Sequence, residues 1–138
     1  MMRAYIAVTT IFLAIVTSVS ASQSSPVYEC KIFESKTVKN NGRLLETEFD
    51  SLMVGGKFSV VKDSGRVWGV LDNSGAFGQT SVLDKGGESQ SYKAVTIYKP
   101  FVAVNGLSIA EFEKGREKSF LWFEMGSQRV ITGICVSS

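Results

Sequence analysis

The sequence contains no histidine and only two cysteines and two prolines among its 138 residues. Without histidine, a Ser-His-Asp or Cys-His catalytic arrangement cannot form, and neither can a zinc site with imidazole ligands. The glycines stand in turn-like pairs such as "GG", "SG" and "NG", and no glycine-rich phosphate-binding motif occurs. We therefore expect no metal and no cofactor in this protein.

Paired carboxylates are the remaining source of catalysis, as in glycoside hydrolysis. Glu111 and Glu113 lie two residues apart in "AEFEKG", so on a strand they would share one face. A solvated strand face near a turn is the simpler interpretation of this pair. We therefore predict no catalytic residue and expect a protein that is not an enzyme.

Clustered charge is also missing. The 15 basic and 13 acidic residues are scattered and mixed, for example in "EKGREK" and "KDSGR". Nucleic-acid-binding domains collect lysine and arginine on one face, so a nucleic-acid partner is not expected. A charge-driven contact with a membrane surface loses support for the same reason.

The amino terminus has the order of a secretory signal peptide. Arg3 precedes an apolar stretch over residues 6–16, and small residues follow up to a cut predicted after Ala21. The apolar stretch is short for a bilayer span, which needs roughly 20 residues. We predict a signal peptide over 1–21 and one exported β domain over 22–138, periplasmic or secreted, without a transmembrane span. The mature chain would have 138 − 21 = 117 residues.

The two cysteines lie near opposite ends of the predicted mature chain. Cys30 follows "VYE" and Cys135 stands three residues before the terminus. In an oxidising compartment two thiols usually pair, so we predict a disulfide between them. Such a bridge would hold the first strand against the last, where a small β domain frays first.

Short alternating segments separated by turn residues fill the mature chain. "VYECKIF" places Tyr28, Cys30 and Ile32 on one side, which is the period-2 pattern of a half-buried strand. Segment 44–52 is ambiguous, since it could pair back as a strand or form a short helix. About eight or nine strands with regular turns indicate an all-β protein, or a mainly β one with a short helix, folded as an antiparallel barrel or sandwich. Turn signals stand at 40–42, 63–65, 105–106 and 126–127.

Aromatic residues near turns are the first candidates for binding. Phe77, between small residues in "NSGAFGQ", is either a plug of the sheet end or an exposed anchor. Tyr98 and Phe101 form a second cluster around Pro100. Trp122 and Phe123 are adjacent and therefore point to opposite faces of a strand. Trp68, by contrast, is predicted to lie in the core.

Two resemblances concern longer stretches of sequence. The frame formed by "YEC", "DSGRVWG", "LSIAEFEKGREKSF" and "VITGIC" resembles a group of small exported proteobacterial β-domain proteins with no assigned activity. "SGAFG" followed by "LDKGGES" is similar to loop signatures of the periplasmic inhibitors of c-type lysozyme, which are small disulfide-bonded β-barrels. That second likeness implies Ser74 and Lys85 as the groups inserted into the lysozyme cleft. Leu83 and Asp84 stand where that family has a tryptophan, and about fifty residues follow, more than its barrel holds.

These observations predict a non-enzymatic binding protein of the cell envelope. The favoured form is a protein-binding module that presents Phe77 and Lys85 on adjacent loops at one end of the β domain. The alternatives are an inhibitor of c-type lysozyme and a carrier that holds a small molecule or lipid in an internal cavity. The expected partner is an envelope protein or a small molecule, and the expected state is a monomer or a weak dimer.

Overall fold

The computed structural model of the protein describes residues 25–100 and 102–138. The predicted signal peptide and Phe101 lie outside these residues. In chain order the elements are β1 (Val27–Val38), β2 (Leu44–Leu45), α1 (Glu48–Met53), β3 (Lys57–Val61), β4 (Val67–Gly69), β5 (Gly78–Gly87), β6 (Gln90–Tyr98), β7 (Ala103–Ile109), β8 (Glu117–Glu124) and β9 (Arg129–Ser137). Within the described ranges no helix is long and apolar enough to cross a membrane.

All nine strands belong to one antiparallel sheet that curls into a half-barrel. The strands follow the order β4-β3-β1-β9-β8-β7-β6-β5, and β2 pairs with the last residues of β1. The predicted antiparallel β fold with one short helix is thus confirmed, in the form of a single curled sheet. Segment 44–52 combines both alternatives, because the two-residue strand β2 is followed two residues later by α1.

The concave face of the sheet holds the core, and the alternation of β1 shows how the sequence specifies it. Tyr28, Cys30 and Ile32 are buried, whereas Glu29 and Lys31 between them are exposed. The same alternation continues through β6, β8 and β9. Large aromatic side chains fill the middle of the concave face, with Phe58 and Phe120 edge to face at 5.0 Å between ring centroids. Burial of this apolar surface is the main favourable term in folding.

The disulfide joins the first strand to the last, as predicted. Cys30 and Cys135 lie directly opposite each other in the β1–β9 ladder, with a sequence separation of 105. Both are buried, at 3% and 0% exposure. Because β1 and β9 are neighbours in the middle of the sheet, the bridge reinforces a central pairing instead of tying down two edges.

Two glycines permit close approach between neighbouring parts of the sheet. A Cβ at Gly133 would overlap the carbonyl oxygen of Lys31 on β1, beside a register shift at Phe33. A Cβ at Gly106 would overlap the ring of Phe123, which lies across the glycine. The turn predicted at 105–106 is therefore wrong: both residues lie inside β7, and the glycine serves packing instead of a positive φ. The other three predicted turns are present.

The two tryptophans differ from each other in burial. Trp122 is 2% exposed and its neighbour Phe123 is 39% exposed, which confirms their opposite orientation. Trp68 is 40% exposed, so its predicted place in the core is wrong. On β4 it is Val67 that points inward and is fully buried.

Asn73 connects the β4 margin of the curled sheet to β6, the strand next to the other margin. Its side-chain amide donates to the carbonyl oxygen of Gly65 at 2.9 Å and to Oγ1 of Thr96 on β6 at 3.0 Å. Its Oδ1 accepts from the backbone N–H of Val67 at 2.7 Å, and its own N–H donates to the Val67 carbonyl oxygen at 3.3 Å. The segment after β4 thus fastens the β4 margin onto the inner face of β6.

Helix α1 is short and depends on its cap. The Thr47 hydroxyl accepts from the backbone N–H of Asp50, and the Asp50 carboxylate accepts from the backbone N–H of Thr47, which together make a capping box. Asp50 and Met53 are the buried residues of α1. The helix therefore lies over β1 and places the Asp50 carboxylate between α1 and β1.

Candidate functional site

An exposed apolar cleft lies where β5 begins and β6 ends. Phe77 is 70% exposed, and with Tyr98, Lys99, Pro100 and Ala103 it lines a cleft of about 580 Å³. We call these five residues the Phe77 patch. Phe77 is therefore an exposed side chain and not a plug of the sheet. An exposed aromatic ring beside an apolar cleft is typical of an interaction surface.

Small residues on both sides of Phe77 explain how it is held at the surface. The Tyr98 ring lies against Gly78, where an added Cβ would be 2.9 Å from its Cε1, and against Gly75 at 3.8 Å. The Phe77 carbonyl oxygen accepts from the N–H of Lys99 at 3.0 Å. Tyr98 thus packs beside Gly75 and Gly78, and Phe77 between these glycines is exposed.

Further apolar side chains extend the surface at the same end of the sheet. Val102 is 80% exposed and Met125 is 62% exposed. The N–H of Met125 donates to the Val104 carbonyl oxygen at 2.9 Å, which holds the β8–β9 turn beside β7. Three strand connections therefore contribute apolar groups to one end of the half-barrel.

Two carboxylates influence the ionisation of the Tyr98 hydroxyl. Burial raises the pKa of Tyr98, and the charges of Asp72 and Glu124 raise it further against an opposing hydrogen bond with Asn105. Ser74 donates through its hydroxyl and its N–H to Asp72, and these bonds lower the pKa of the Asp72 carboxyl. The exposed hydroxyl of Ser74 is thus bound within its own turn.

Lys85 lies far from this surface. It stands within β5, opposite Tyr92, and eight residues along the chain from Phe77. At about 3.3 Å per residue the two positions are roughly 26 Å apart. The prediction that Phe77 and Lys85 occupy adjacent loops is therefore wrong, because one long strand separates them. Of the predicted binding residues, the structure brings together Phe77 and Tyr98, with Ser74 in the preceding turn.

A buried ionic network lies at the same end of the sheet as the Phe77 patch. Asp50 is fully buried and receives the Arg129 guanidinium at 3.0 Å, and the same guanidinium contacts Glu124 at 2.9 Å. The Arg129 guanidinium also lies 4.4 Å from the centroid of the Phe49 ring. This network joins α1 to β8 and β9 and stiffens the base of the turn that carries Met125.

Hydrogen bonds keep the Asp50 carboxylate ionised. Burial opposes its ionisation, but donors from Ser35, Thr47 and Thr37 outweigh burial and hold the pKa of this carboxyl well below its usual range. The Ser35 and Thr37 hydroxyls donate at 2.6 and 2.9 Å. The sequence analysis missed this network, although "TEFD" carries the Thr-x-x-Asp signal of a capping box.

A second polar cluster closes the opposite end of the half-barrel. The Tyr28 hydroxyl donates to Glu111, and the Lys62 ammonium lies 3.5 Å from the same carboxylate and 4.1 Å from the centroid of the Tyr28 ring. Glu113 accepts from the backbone N–H of Ser119 at 2.7 Å instead. The two glutamates lie in the loop after β7, not on a strand, and each has separate partners. They do not form a pair facing a common substrate.

Tyr28 and the neighbouring Tyr92, whose ring centroids are 5.3 Å apart, are both shielded from solvent. Burial raises the pKa of Tyr28, with a further contribution from its hydrogen bond to Glu111. Burial also raises the pKa of Tyr92 to about 12, and its hydroxyl has no hydrogen-bond partner among the described residues. Both phenols therefore stay protonated near neutral pH.

A third feature is a shallow cleft of about 640 Å³ on the convex face of the sheet. Large apolar residues such as Phe33 and Leu121 and small residues such as Ser108 and Ser119 line it. Within residues 25–100 and 102–138, no group of three or more histidine, cysteine, aspartate or glutamate side chains is placed to hold a metal ion. No protein-family model, no curated protein and no solved structure matches the chain.

Proposed function

We propose that the protein is a non-enzymatic protein-binding module of the cell envelope, and that it binds its partner through the Phe77 patch. The observation that carries the proposal is the 70% exposure of Phe77 beside an apolar cleft. Aromatic anchors that become buried on association dominate the energy of many interfaces. Export to the periplasm or to the medium is part of the proposal, and the order of residues 1–21 and the disulfide support it.

The surroundings of the patch support a preformed surface. Tyr98 packs against glycine backbone, and the Arg129 network stiffens the nearby β8–β9 turn. A surface that is already ordered loses little conformational entropy when a partner binds. Mixed charges near the cleft, with Lys99 on its wall and Asp72 close to Tyr98, would orient the partner.

The two alternative functions receive less support from the geometry. The carrier would need an empty interior, but aromatic side chains such as Phe58, Phe120 and Trp122 fill the concave face. The lysozyme inhibitor would use Ser74 and Lys85 together, but the length of β5 separates them. We therefore propose the protein-binding module alone.

Site-specific photo-cross-linking in the native host tests this function. A photoreactive benzoylphenylalanine replaces Phe77 in one variant and Phe112 in another. Phe112 is the matched control because it is half exposed, at 50%, and lies in the loop at the opposite end of the half-barrel. We expect a discrete cross-linked protein adduct from position 77 and none from position 112.

Equal adducts at both positions, or none at position 77, would contradict the proposal. Phe77→Ser should remove binding and leave thermal stability within roughly 0.5 kcal/mol of wild type, because a substitution at an exposed position rarely does more. A large loss of stability in Phe77→Ser would instead assign Phe77 to the core.

A further inference from the structure

We infer that the partner contributes an extended peptide segment that pairs with the free margin of β5 and inserts an apolar side chain into the Phe77 patch. This inference rests on the proposed function and specifies the class of its partner. The observation that carries it is a difference between the two terminal strands of the sheet: the outer margin of β4 is occupied, whereas the outer margin of β5 is open.

The β4 margin is already occupied. β4 has only three residues, and both backbone groups of Val67 that point away from β3 bond to Asn73. The segment after β4 also folds onto β6 through the Asn73 side chain. No row of backbone groups remains there for another strand.

The β5 margin is open. β5 has ten residues and pairs with β6 alone, and the described backbone offers it no second partner strand. Its residues alternate between intermediate and exposed along the whole strand, as expected when one margin faces solvent. An unpaired margin presents N–H and C=O groups that can template an added strand.

The two halves of β5 differ in how well they are protected from pairing. The second half contains a register shift at Leu83 and the charged residues Asp84 and Lys85. Bulges and charges, lysine above all, are the devices that block association at a strand margin. The first half, Gly78–Val82, is uncharged and pairs with β6 in regular register from Gly78↔Tyr98 to Val82↔Ala94. Protection is thus confined to the half that lies away from the Phe77 patch.

The first half of β5 is also fixed by side-chain contacts with β6 and with the turn at Gly65. Thr80 and Thr96 are joined by a hydroxyl–hydroxyl contact of 2.8 Å. The turn at Gly65 packs against Thr80 and Val82 from the concave side. A strand fixed in this way offers its open margin without further ordering, which lowers the entropic cost of adding a peptide.

Continuity with the patch defines the chemistry of the ligand. Phe77 directly precedes β5, so a segment paired with Gly78–Val82 reaches the cleft at one of its ends. The Gly78 N–H already bonds to the Gly75 carbonyl oxygen at 2.9 Å, so the added segment would pair with the remaining open backbone groups of Gly78–Val82. We expect an uncharged extended segment of about five residues with one large apolar residue at the end beside Phe77.

The test uses a displayed library of random dodecapeptides as the probe, selected against the full exported, oxidised protein. Selected peptides are synthesised, and hydrogen exchange of residues 78–82 is followed by mass spectrometry with and without them. We expect slower exchange in Gly78–Val82 on binding. N-methylation of two alternate peptide amides should weaken binding by at least about tenfold, because two backbone hydrogen bonds are lost. Phe77→Ser should abolish binding, whereas Phe112→Ser should not change it.

Each other outcome overturns the inference in a different way. Peptides that require Phe77 but leave exchange in Gly78–Val82 unchanged would refute strand pairing and leave the proposed function intact. Protection that rises with protein concentration in the absence of peptide would make a second copy of the chain the occupant. Failure to select any peptide would refute the peptide class of partner, while photo-cross-linking at position 77 would still decide the proposed function.

Discussion

Replacement of Asp50 by asparagine is the sharpest test of the network that supports the binding end of the half-barrel. Asp50→Asn keeps the size of the side chain and removes its charge. Oδ1 accepts from Ser35 and Arg129, and Oδ2 accepts from Thr37 and from the hydroxyl and N–H of Thr47. An asparagine retains only one acceptor oxygen, so one of these two groups of donors would face an NH₂ group.

The expected loss of stability follows from the burial of these groups. Removal of one partner from a buried ion pair costs about 3–5 kcal/mol. Arg129 keeps its contact with Glu124 and is partly exposed, so we expect a loss near the lower limit, about 3 kcal/mol. With an m-value of about 1–3 kcal/mol/M in urea, this loss lowers the unfolding midpoint by about 1–3 M.

Urea denaturation at neutral pH, followed by tryptophan fluorescence, measures this change. Glu48→Gln is the matched control, because Glu48 lies in the same first turn of α1 but is exposed. The control should stay within roughly 0.5 kcal/mol of wild type. If Asp50→Asn also stayed within that limit, the argument that this network stabilises the fold would be refuted.

The pH dependence gives the same prediction a second readout. The folded-state pKa of Asp50 lies below its unfolded value, so its contribution is fully present above about pH 4. That contribution is lost as the pH falls toward the folded-state pKa, since the unfolded chain then binds the proton first. The difference in stability between wild type and Asp50→Asn should therefore shrink steadily below about pH 4. A difference that stays constant down to about pH 2 would show that the carboxylate charge is not its source.

Three further predictions concern the core. Replacing both Cys30 and Cys135 by serine should lower the free energy of unfolding by up to roughly 4.7 kcal/mol in urea titrations, since the bridge closes a loop of about 100 residues; an unchanged midpoint would contradict this. Tyr28→Phe should lower the melting temperature because it removes the hydrogen bond to the Glu111 carboxylate. Tyr92→Phe should not lower it, because the Tyr92 hydroxyl has no partner among the described residues; equal losses in both variants would argue against a stabilising Tyr28–Glu111 hydrogen bond. Gly133→Ala should destabilise severely, since its Cβ would overlap the backbone of β1; near-wild-type melting would disprove the close approach.

Much of the fold could be predicted because its signals are local. Alternation in "VYECKIF" places Tyr28, Cys30 and Ile32 on the buried face, and the structure agrees. The turns at 63–65 and 126–127 follow from residues that favour such conformations. The pairing of Cys30 with Cys135 needed only an oxidising compartment and two thiols.

Local signals failed where a distant side chain gives a residue its role. Asn105 and Gly106 look like a hairpin turn, but the Phe123 ring from β8 covers the glycine and both residues lie in the middle of β7. Trp68 looks like a core residue, yet its position on β4 turns it outward. The alternation of residues in the sequence identifies a strand, but it does not identify the side chain from another strand that packs against it.

The candidate site shows the same division. Its key residue, Phe77, could be selected from the sequence because a large ring between glycines has little local reason to be there. Its neighbours could not be selected, because Lys85 is near in sequence but lies along the same strand, roughly 26 Å away. Arg129 and Asp50, 79 residues apart, meet only after the sheet has curled.

By itself, the sequence determined an antiparallel β chain with turns between its strands and a disulfide between its first and last strands, and it singled out an aromatic residue, Phe77, between small neighbours. The choice of helix after Leu45, its cap and the exposure of Phe77 came from the structure. Composition and period-2 alternation act within a few residues, so a single sequence contains this information. Only the tertiary structure decided the order of the strands, the open margin of β5 and the closed margin of β4, and the end of the half-barrel at which Phe77 lies. These features depend on pairings between residues far apart in the chain, and a strand pattern is compatible with many such pairings.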